Sequence, residues 1–262
     1  MRYIQSKDNA QFKQLVRITQ GKKTELGLLV WLEGVHLSQA WLDLGFEVQW
    51  AIFDTERLAV QPELQILQQQ LDARVCVGLS SALMRQLSSV EHAQGVGLVV
   101  RAPVYDEQNS APISANCVYL DRLQDPGNVG TLLRTMAAAG INEAYLSPGC
   151  AWAWSQKVLR SAQGAHCVLR IHEQVDQKSF LERVQIPVYA TALEQARPLY
   201  ELDLAGPIAW VFGNEGQGVH PTLLEQASQR VFIPQVANVE SLNVAAAAAV
   251  CLFEQRRQLL RT

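Results

Sequence analysis

The sequence predicts an α/β protein of two domains, and three observations lead to this. Short apolar runs typical of buried strands alternate with helix-like segments along most of the chain. The alternation stops at residues 102–114, where prolines and polar residues show no periodicity, and then resumes. Hydrophobic residues make up 48% of the 262 positions, enough for packed cores and too many for a disordered chain. We therefore predict a first domain at 1–105, a linker at 106–115 and a second domain at 116–262.

The first domain is expected to begin with a short amphipathic helix. Residues 1–25 carry six Lys and Arg against two Asp and Glu, a local excess of positive charge. Apolar residues at positions 12, 15, 16 and 18 recur with helical spacing, and Asn9 suits the cap that precedes the helix. A solvated helix face explains such a charged run as well as a binding surface does. Beyond it, strands are predicted at 28–32, 48–53, 75–79 and 95–100, with helices around 36–44, 56–73 and 82–87.

The second domain repeats the alternation with longer helices. Predicted strands lie at 118–123, 144–147, 167–171, 188–193, 209–213 and 230–233. Predicted helices lie at 129–139, 156–163, 178–184, 221–227 and 243–260. Unbroken apolar strands between helices favour a mainly parallel sheet with helices on both faces.

Composition excludes several classes of protein. The net charge of −3 provides no domain-wide basic surface, so a nucleic-acid partner would need local positive charge. The five cysteines include no C-x-x-C pair, so we expect reduced, mostly buried thiols and no metal site. The N-terminus lacks the apolar core of a signal peptide, and the longest apolar run has ten residues where a bilayer crossing needs about twenty. The sequence predicts a soluble, cytoplasmic protein without a membrane partner.

The first candidate site is the turn DPGNVG, which follows a predicted strand. A Gly-rich turn from strand to helix presents unpaired backbone N–H groups that suit phosphate or another polar ligand. A plain helix cap at Asn128 explains the same residues. Arg134 falls in about the first turn of the predicted helix, where the helix dipole disfavours a cation, so its presence there needs a compensating reason.

Two further loops follow apolar strands. The segment GNEGQGV has three glycines in six residues, which indicates positive φ angles or a close backbone approach, although a bare turn would also account for it. Its spacing is not that of a dinucleotide fingerprint. In the third loop, Ser241 or Asn243 can cap the last helix. The alanine run at 245–249 predicts tight packing, either inside the fold or across a subunit boundary.

Taken in order, these loops resemble a known family. DPGNVG with Arg134, GNEGQGV, and IP followed by SLNVAAAAAV are similar to the three motifs of the SpoU (TrmH) RNA ribose 2′-O-methyltransferases, within the SPOUT superfamily. The segment SQKVLRSAQGAH resembles another part of the family pattern, with a serine and an alanine rearranged. In the first half, SKDNAQFKQL, LLVWLEGVHL and AQGVGLVV resemble the RNA substrate-binding domain that precedes the catalytic domain in many members, with Trp31 as a departure.

The resemblance implies S-adenosylmethionine as cofactor, structured ribosomal or transfer RNA as substrate, a deep trefoil knot in the second domain, and a homodimer formed through that domain. It assigns the polar positions of the catalytic motifs to Arg134, Asn128, Glu215, Ser241 and Asn243. It implies that the cofactor lies against Thr191, Leu193, Gly213, Asn214, Gly218, Ile233 and Leu242. The residues expected to contact RNA are Lys13, Lys22, Lys23 and Arg160.

The role of Arg134 has two interpretations. The resemblance allows a general base, but a guanidinium with a pKa above about 12 is a poor one. We therefore favour a residue that holds the target phosphate and stabilises the developing alkoxide. Three alternatives to a ribose methyltransferase stay open at this point: an inactive RNA-binding protein of the same fold, a base methyltransferase on that fold, and an α/β protein that binds a nucleotide.

Overall fold

The computed structural model describes residues 1–21, 28–88, 93–103, 111–236 and 241–261. The chain divides into two compact units. The first comprises Met1–Pro103 with Trp154–Gln156, and the second comprises Val104–Ala153 and Lys157–Thr262. In these ranges no helix has the length and apolar character needed to cross a membrane. The cysteines are free thiols, and the buried ones are Cys76, Cys117 and Cys251.

The first unit contains a mixed sheet with helices between its strands. The described strands lie in the spatial order β1-β4-β3-β5-β2. β1, β4 and β3 are parallel, whereas β5 is antiparallel to both β3 and β2. The elements in chain order are β1 (Arg2–Ile4), α1 (Ala10–Thr19), β2 (Leu29–Glu33), α2 (Val35–Asp43), β3 (Trp50–Asp54), α3 (Thr55–Leu58), α4 (Pro62–Gln69), β4 (Cys76–Leu79), α5 (Ser81–Leu87) and β5 (Val96–Arg101).

The amphipathic helix expected near the N-terminus is present as α1. Asn9 caps it, because its side-chain oxygen accepts from the backbone N–H groups of Gln11 at 2.9 Å and Phe12 at 3.3 Å. Leu15 and Ile18 are buried on the apolar face, where they join the core cluster of the first unit. The cap and the apolar face predicted from the sequence are both confirmed.

Two features of the first unit differ from the prediction. β1 was not predicted, because a three-residue strand is too short to show an alternating pattern. The single helix predicted at 56–73 is wrong, since the chain forms α3 and α4 with a break between them. Pro62 opens α4, and the preceding Gln61 is extended, with φ −105° and ψ 110°. A proline disfavours helical backbone at the residue before it, so the first helix ends there.

The second unit contains a parallel sheet, and its described strands lie in the order β10-β12-β9-β11-β6-β7-β8. Each pair of neighbours is parallel. The elements in chain order are β6 (Cys117–Leu120), α6 (Pro126–Ala139), β7 (Glu143–Leu146), α7 (Gln156–Ala162), β8 (Arg170–His172), α8 (Gln177–Arg183), β9 (Val188–Thr191), β10 (Arg197–Pro198), β11 (Ala209–Phe212), α9 (Pro221–Gln226), β12 (Gln229–Phe232) and α10 (Val244–Leu259).

Helices cover both faces of this sheet, as the unbroken apolar strands predicted. On one face, Tyr119 and Val211 pack with Phe180 of α8 and Leu223 of α9 in one core cluster. Side chains alternate along a strand, so Trp210 points to the opposite face. There its indole N–H donates to Gln255 Oε1 of α10 at 2.8 Å, and α10 packs against α6. The knot implied by the resemblance stays a prediction, because strand order and register do not specify how the chain is threaded.

The start of α6 corrects two expectations. The helix begins at Pro126 and not at residue 129, and its cap is Asp125, whose Oδ1 accepts from the backbone N–H of Asn128 at 2.7 Å. The plain cap at Asn128 is therefore wrong. Arg134 lies in the third turn, so the helix dipole, which acts within the first turn, gives no argument about its charge.

Two other stretches also depart from the prediction. The strand expected at 167–171 is shorter, because a 3-10 turn occupies Ala165–Cys167 and only Arg170–His172 pairs with β7. The short strand β10 was not predicted, since two residues carry no periodicity.

Candidate functional site

The candidate site lies along the side of the parallel sheet at which the strands of the second unit have their carboxyl ends. The neighbouring strands β12, β9, β11 and β6 are parallel, so their carboxyl ends meet on this side. The segment 121–125 follows β6, Gly213 follows β11, and Ile233 follows β12. Loops at the carboxyl ends of parallel strands are the usual ligand-binding region of an α/β sheet. The fold thus brings the three predicted loops together.

A chain of hydrogen bonds joins one residue from each loop. Asn128 Nδ2 donates to Glu215 Oε1 at 3.1 Å, and Asn243 Nδ2 donates to Asn128 Oδ1 at 3.0 Å. Asn128 thereby uses both ends of its amide, one toward GNEGQGV and one toward the start of α10. Of the five residues predicted for the catalytic motifs, the structure places these three in direct contact.

Glu215 and Asn243 each hold a second element. The carboxylate of Glu215 accepts from the backbone N–H groups of Gln124 at 3.4 Å and Asp125 at 3.3 Å, just before α6. The side-chain oxygen of Asn243 accepts from the N–H groups of Ala245 at 2.9 Å and Ala246 at 3.3 Å, which caps α10. Between Ser241 and Asn243 as candidate caps, the structure selects Asn243. The polar residues of the three loops therefore fix the starts of two helices relative to each other.

Arg134 and Ser241 lie outside this hydrogen-bond chain. Arg134 is exposed on α6, and its side chain forms no hydrogen bond or ion pair with other residues in the described ranges. Ser241 is exposed just before α10. An exposed guanidinium can bind an anion without first breaking an internal hydrogen bond or ion pair.

Four of the seven residues predicted to hold the cofactor, Thr191, Leu193, Gly213 and Ile233, lie at or just after the ends of three adjacent strands. Thr191 ends β9, and its hydroxyl donates to the carbonyl of Val211 on β11 at 3.3 Å. Leu193 is 68% exposed just beyond it, Leu242 is exposed, and Ile233 is half-buried after β12. Exposed apolar side chains beside a polar loop edge fit the adenine and methylthio parts of S-adenosylmethionine, which need apolar walls and a few backbone hydrogen bonds.

The glycine-rich loop GNEGQGV is shaped by its own backbone. A Cβ on Gly213 would lie 2.1 Å from the backbone nitrogen of Val219, so no other residue fits at this crossing. Asn214 pairs with Gly218 across the loop, and Gly218 has φ +68°. The side-chain amide of Asn214 forms hydrogen bonds at both ends within the second unit: Nδ2 donates to the carbonyl of Arg122 at 2.8 Å, and Oδ1 accepts from the N–H groups of Gly216 and Gln217, each at 3.0 Å. Its side chain thus shapes the loop, and its backbone N–H and carbonyl pair with Gly218 across the loop.

Sequence reasoning missed the two residues that follow β6. Asp121 is fully buried, and Arg122 forms an ion pair with it at 2.9 Å between Nη2 and Oδ2. The carboxylate raises the pKa of the Arg122 guanidinium through this hydrogen bond. A charged pair directly after a four-residue apolar strand was the available signal, since buried charges need a partner.

The described residues predicted to contact RNA belong to both units. Lys13 is exposed on α1 and lies 3.6 Å from a carboxylate oxygen of Asp8. Arg160 is exposed on α7 of the second unit. Lys22 and Lys23 lie outside the described residues. Within the described ranges, no group of three or more His, Cys, Asp or Glu residues is arranged to hold a metal ion.

Comparison with known proteins places this geometry in a family. Residues 115–253 match the model of the SpoU rRNA Methylase family. An uncharacterized tRNA/rRNA methyltransferase of Synechocystis is 34% identical over 97% of this chain and 93% of its own length. The 23S rRNA (guanosine(2553)-2′-O)-methyltransferase of Bacillus subtilis is 30% identical over 98% of this chain and 100% of its own.

A solved structure agrees with these relatives. The AdoMet-bound rRNA methyltransferase from Sinorhizobium meliloti has a TM-score of 0.87 to this chain at 25% identity, and the match covers 98% of both chains. The family match covers more than half of this sequence, and the relatives are similar to it over nearly its whole length. This chain therefore belongs to the SpoU rRNA methylase family.

Proposed function

We propose that this protein is an S-adenosylmethionine-dependent methyltransferase that modifies a ribose 2′-hydroxyl in ribosomal RNA. The observation that carries the proposal is the hydrogen-bond chain from Glu215 through Asn128 to Asn243, which closes the three family motifs into one site. A relative that is similar over the full length is named a 23S rRNA 2′-O-methyltransferase. Another is named a tRNA/rRNA methyltransferase, so transfer RNA is the alternative substrate.

Methyl transfer requires the protein to align the methyl donor and the ribose hydroxyl more than to activate the methyl group. S-Adenosylmethionine supplies a methyl group that its positive sulfur already activates. The residues of the chain must then hold the ribose hydroxyl in line and assist the loss of its proton. Residues of this site can supply alignment, because Asn128, Glu215 and Asn243 fix the loops on either side of it.

Arg134 is the candidate for contact with the substrate. Its guanidinium stays charged at neutral pH and offers a fork of donors that matches a phosphate. We assign it to the phosphate of the target nucleotide and to the alkoxide that develops at the 2′-oxygen, with that phosphate or water as the proton acceptor. Its exposure, and the absence of hydrogen bonds and ion pairs from its side chain within the described ranges, support this role.

The cofactor is proposed to lie across the ends of β9, β11 and β12. Thr191, Leu193, Gly213 and Ile233 are contributed by these three neighbouring strands or the residues that directly follow them. The remaining cofactor contacts that we propose are Asn214, Gly218 and Leu242. Ser241 and Asn243 lie beside them at the start of α10, where we propose that Ser241 contacts RNA.

We also propose that the protein acts as a homodimer through its second unit. Ala245 and Ala248 of the alanine run are buried within the chain itself. Ala246 and Phe253 of α10 and Leu260, which caps its C-terminal end, are exposed at intervals of seven residues. A seven-residue spacing places side chains near one line of a helix. Phe253 is 47% exposed and Leu260 is 74% exposed, and a second copy packed along this line would cover both.

The first part of the chain is proposed to select the RNA. We place the substrate-binding domain at 1–105, the linker at 106–115 and the methyltransferase domain at 116–262. Lys13, Lys22 and Lys23 provide positive charge in the first domain, and Arg160 provides it in the second. Phosphate contacts of this kind orient an RNA without reading its sequence. Because ribosomal RNA is modified where ribosomes are assembled, we propose a cytoplasmic location.

The position of the transferred methyl group tests the function. Ribosomal RNA is incubated with the protein and S-adenosylmethionine labelled in its methyl group, then digested with alkali. A 2′-O-methyl group blocks the internal attack that cleaves RNA, so the label is expected in alkali-resistant dinucleotides. Label in ordinary mononucleotides would show base methylation. Absence of transfer to ribosomal and transfer RNA, with RNA still bound, would favour the inactive RNA-binding protein.

A further inference from the structure

Asp121 and Arg122 form a charged pair at the base of the site, where β6 ends. Asp121 is 0% exposed, and its Oδ1 and Oδ2 accept from Arg122 Nε at 3.0 Å and Nη2 at 2.9 Å. Two parallel hydrogen bonds of this kind fix the orientation of a guanidinium as well as its charge. The side chain of Arg122 is therefore held in one direction.

The backbone of Arg122 is held in an uncommon conformation. Its φ is +55°, in the left-handed region that a non-glycine residue rarely adopts. Hydrogen bonds secure it on both sides: its N–H donates to Ser147 Oγ at 2.8 Å, and its carbonyl accepts from Asn214 Nδ2 at 2.8 Å. Backbone strain of this type persists only where the surroundings enforce it, and it concentrates at functional sites.

The guanidinium of Arg122 also contacts the GNEGQGV loop. Arg122 Nη1 donates to Gln217 Oε1 at 2.9 Å, and Nη2 lies 3.4 Å from the carbonyl oxygen of Gly218. Asp121 Oδ2 also accepts from the backbone N–H of His220 at 2.8 Å, just past the loop. Together with the bond from Asn214, these contacts tie both ends and the middle of the loop to the residues that follow β6.

Glu215 lies inside the segment that is tied down in this way. Its carboxylate binds Asn128 and the backbone N–H groups before α6, so its position depends on the path of the loop. Neither Asp121 nor Arg122 contacts Glu215 through any hydrogen bond or ion pair in the described ranges. The pair can therefore affect Glu215 only through the backbone on either side of it, which is the GNEGQGV loop or residues 123–125 that lead to α6.

We propose that Asp121 and Arg122 are positioning residues for methyl transfer, which set the GNEGQGV loop so that Glu215 can hold Asn128. This inference rests on the proposed function. It assigns the pair no contact with RNA or with the reacting atoms. The pair acts on the alignment of the site, and therefore on kcat more than on the KM for RNA.

Kinetics of Arg122→Lys test the proposal, because lysine keeps the charge and loses the fork. We expect kcat to fall about 10- to 100-fold, the size of effect that a small misalignment produces, with the KM for RNA unchanged. The matched control is Arg170→Lys. Arg170 begins β8 and pairs with Glu143 at the start of β7, so it lies at the amino-terminal ends of the strands, away from the loops of the site. This control should keep the wild-type kcat. An unchanged kcat in Arg122→Lys, or an equal loss in the control, would overturn the proposal.

A double-mutant cycle separates positioning from general damage to the fold. If Arg122 acts through Glu215, then Arg122→Lys added to Glu215→Gln should lower kcat no further than Glu215→Gln alone. Independent losses that multiply would overturn the proposal. Gln217→Leu gives a second route, since Gln217 is exposed and its replacement removes only the acceptor for Arg122. We expect a loss of kcat in the same direction.

Hydrogen exchange gives a readout that does not need activity. In Gln217→Leu, the backbone N–H groups of Gln124 and Asp125 should exchange faster, although they lie far from residue 217 in sequence, because Glu215 no longer covers them. Unchanged exchange at both would overturn the link. If wild-type protein transfers no methyl group, the proposed function fails, while this exchange result still decides whether the pair positions Glu215.

Discussion

Arg134 and Asn128 lie on the same helix, yet the structure holds them in different ways. Asn128 has its side-chain amide bound at both ends, by Glu215 and Asn243. The side chain of Arg134 is exposed and has no hydrogen-bond or ion-pair partner in the described part of the chain. At the scale of single residues, the site thus combines groups that are already committed to the protein with one cation that is available to a substrate.

The free cation leads to the first prediction. Arg134→Ala should lower kcat at least about 100-fold, as expected when a donor to a developing negative charge is removed. The free energy of unfolding and the affinity for S-adenosylmethionine should stay unchanged, because Arg134 is exposed and its side chain forms no hydrogen bond or ion pair within the described ranges. Steady-state methyl transfer, urea unfolding and calorimetry measure the three quantities.

Two variants control this experiment. Arg134→Lys should not restore kcat, since a lysine has no fork of donors. Arg170→Ala removes another exposed arginine of the second unit and should leave kcat at the wild-type value. Loss of folding in Arg134→Ala would contradict the assignment to the substrate.

A buried histidine leads to the second prediction, which concerns pH. Burial lowers the pKa of His166 to about 4, against an ordinary value of 6.5, although the carbonyl of Ala153 at 2.7 Å from Nε2 opposes the shift. Between these values the unfolded chain binds a proton that the folded chain does not. The free energy of unfolding should therefore decrease as the pH falls from about 6.5 to about 4, by about 3 kcal/mol from this group.

Urea unfolding at pH 7 and pH 5 measures the effect of His166. In His166→Gln the part of the pH dependence due to this group should disappear, whatever the change in overall stability. His36→Gln, at an exposed position of α2, should keep the wild-type dependence. An equal dependence in His166→Gln and the wild type would show that another group causes it.

At the scale of secondary-structure elements, α6 both carries a residue of the site and packs closely against α7. Its first turn carries Asn128, and its C-terminal end is closed by Gly140, which has φ +81°. Between them, Gly130 lets α7 approach closely, because a Cβ there would lie 2.6 Å from the carbonyl oxygen of Val158 and 2.5 Å from Ser161 Cβ. The helix thus presents Asn128 to the site, and it can pack against α7 at this distance only because residue 130 is a glycine.

This close approach leads to the third prediction. Gly130→Ala should lower the free energy of unfolding by about 1–3 kcal/mol, the usual cost of overpacking, although alanine is the better helix former by about 1 kcal/mol. Thermal or urea unfolding measures it. Thr131→Ala, at the next and exposed position, should be neutral or slightly stabilising. A stabilised Gly130→Ala would mean that the two helices can separate at no cost.

For the whole molecule, the exposed line along α10 leads to the fourth prediction. Phe253→Glu should convert the proposed dimer into monomers, because a charge on this line would lose its water on association. The melting temperature of the wild type should rise with protein concentration, as it does when subunit binding stabilises the folded state. Sedimentation and thermal unfolding over a range of concentrations measure both effects.

The control for the dimer prediction is a glutamate substitution at an exposed apolar position outside α10. Ile66→Glu alters an exposed apolar residue of α4 in the first unit and should leave the oligomeric state unchanged. Ala248 is unsuitable as a test, since it is fully buried within the chain and a charge there would disturb the fold itself. A wild-type protein that sediments as a monomer at micromolar concentration would remove the proposal.

Much of the second unit follows from local sequence patterns. Four-residue apolar runs such as 117–120 and 209–212 are buried along their whole length, and such runs between helices predict a parallel sheet because both of its faces are covered. The Gly-rich loops and the caps at Asn9 and Asn243 are likewise visible, since turns and caps depend on residues within a few positions of one another.

The sequence by itself therefore determined the fold class and the three loops, whereas the tertiary structure decided which side chains meet. Glu215 binds Asn128 from 87 positions away, and Asn243 binds it from 115 positions away. Arg122 reaches Gln217 over 95 positions. The contacts of Glu215 and Arg122 exist because β11 lies beside β6 in the sheet, and that of Asn243 because α10 packs against α6. The order of the parallel strands and the packing of the helices are set over the whole domain. Local periodicity and turn residues do not predict this long-range arrangement.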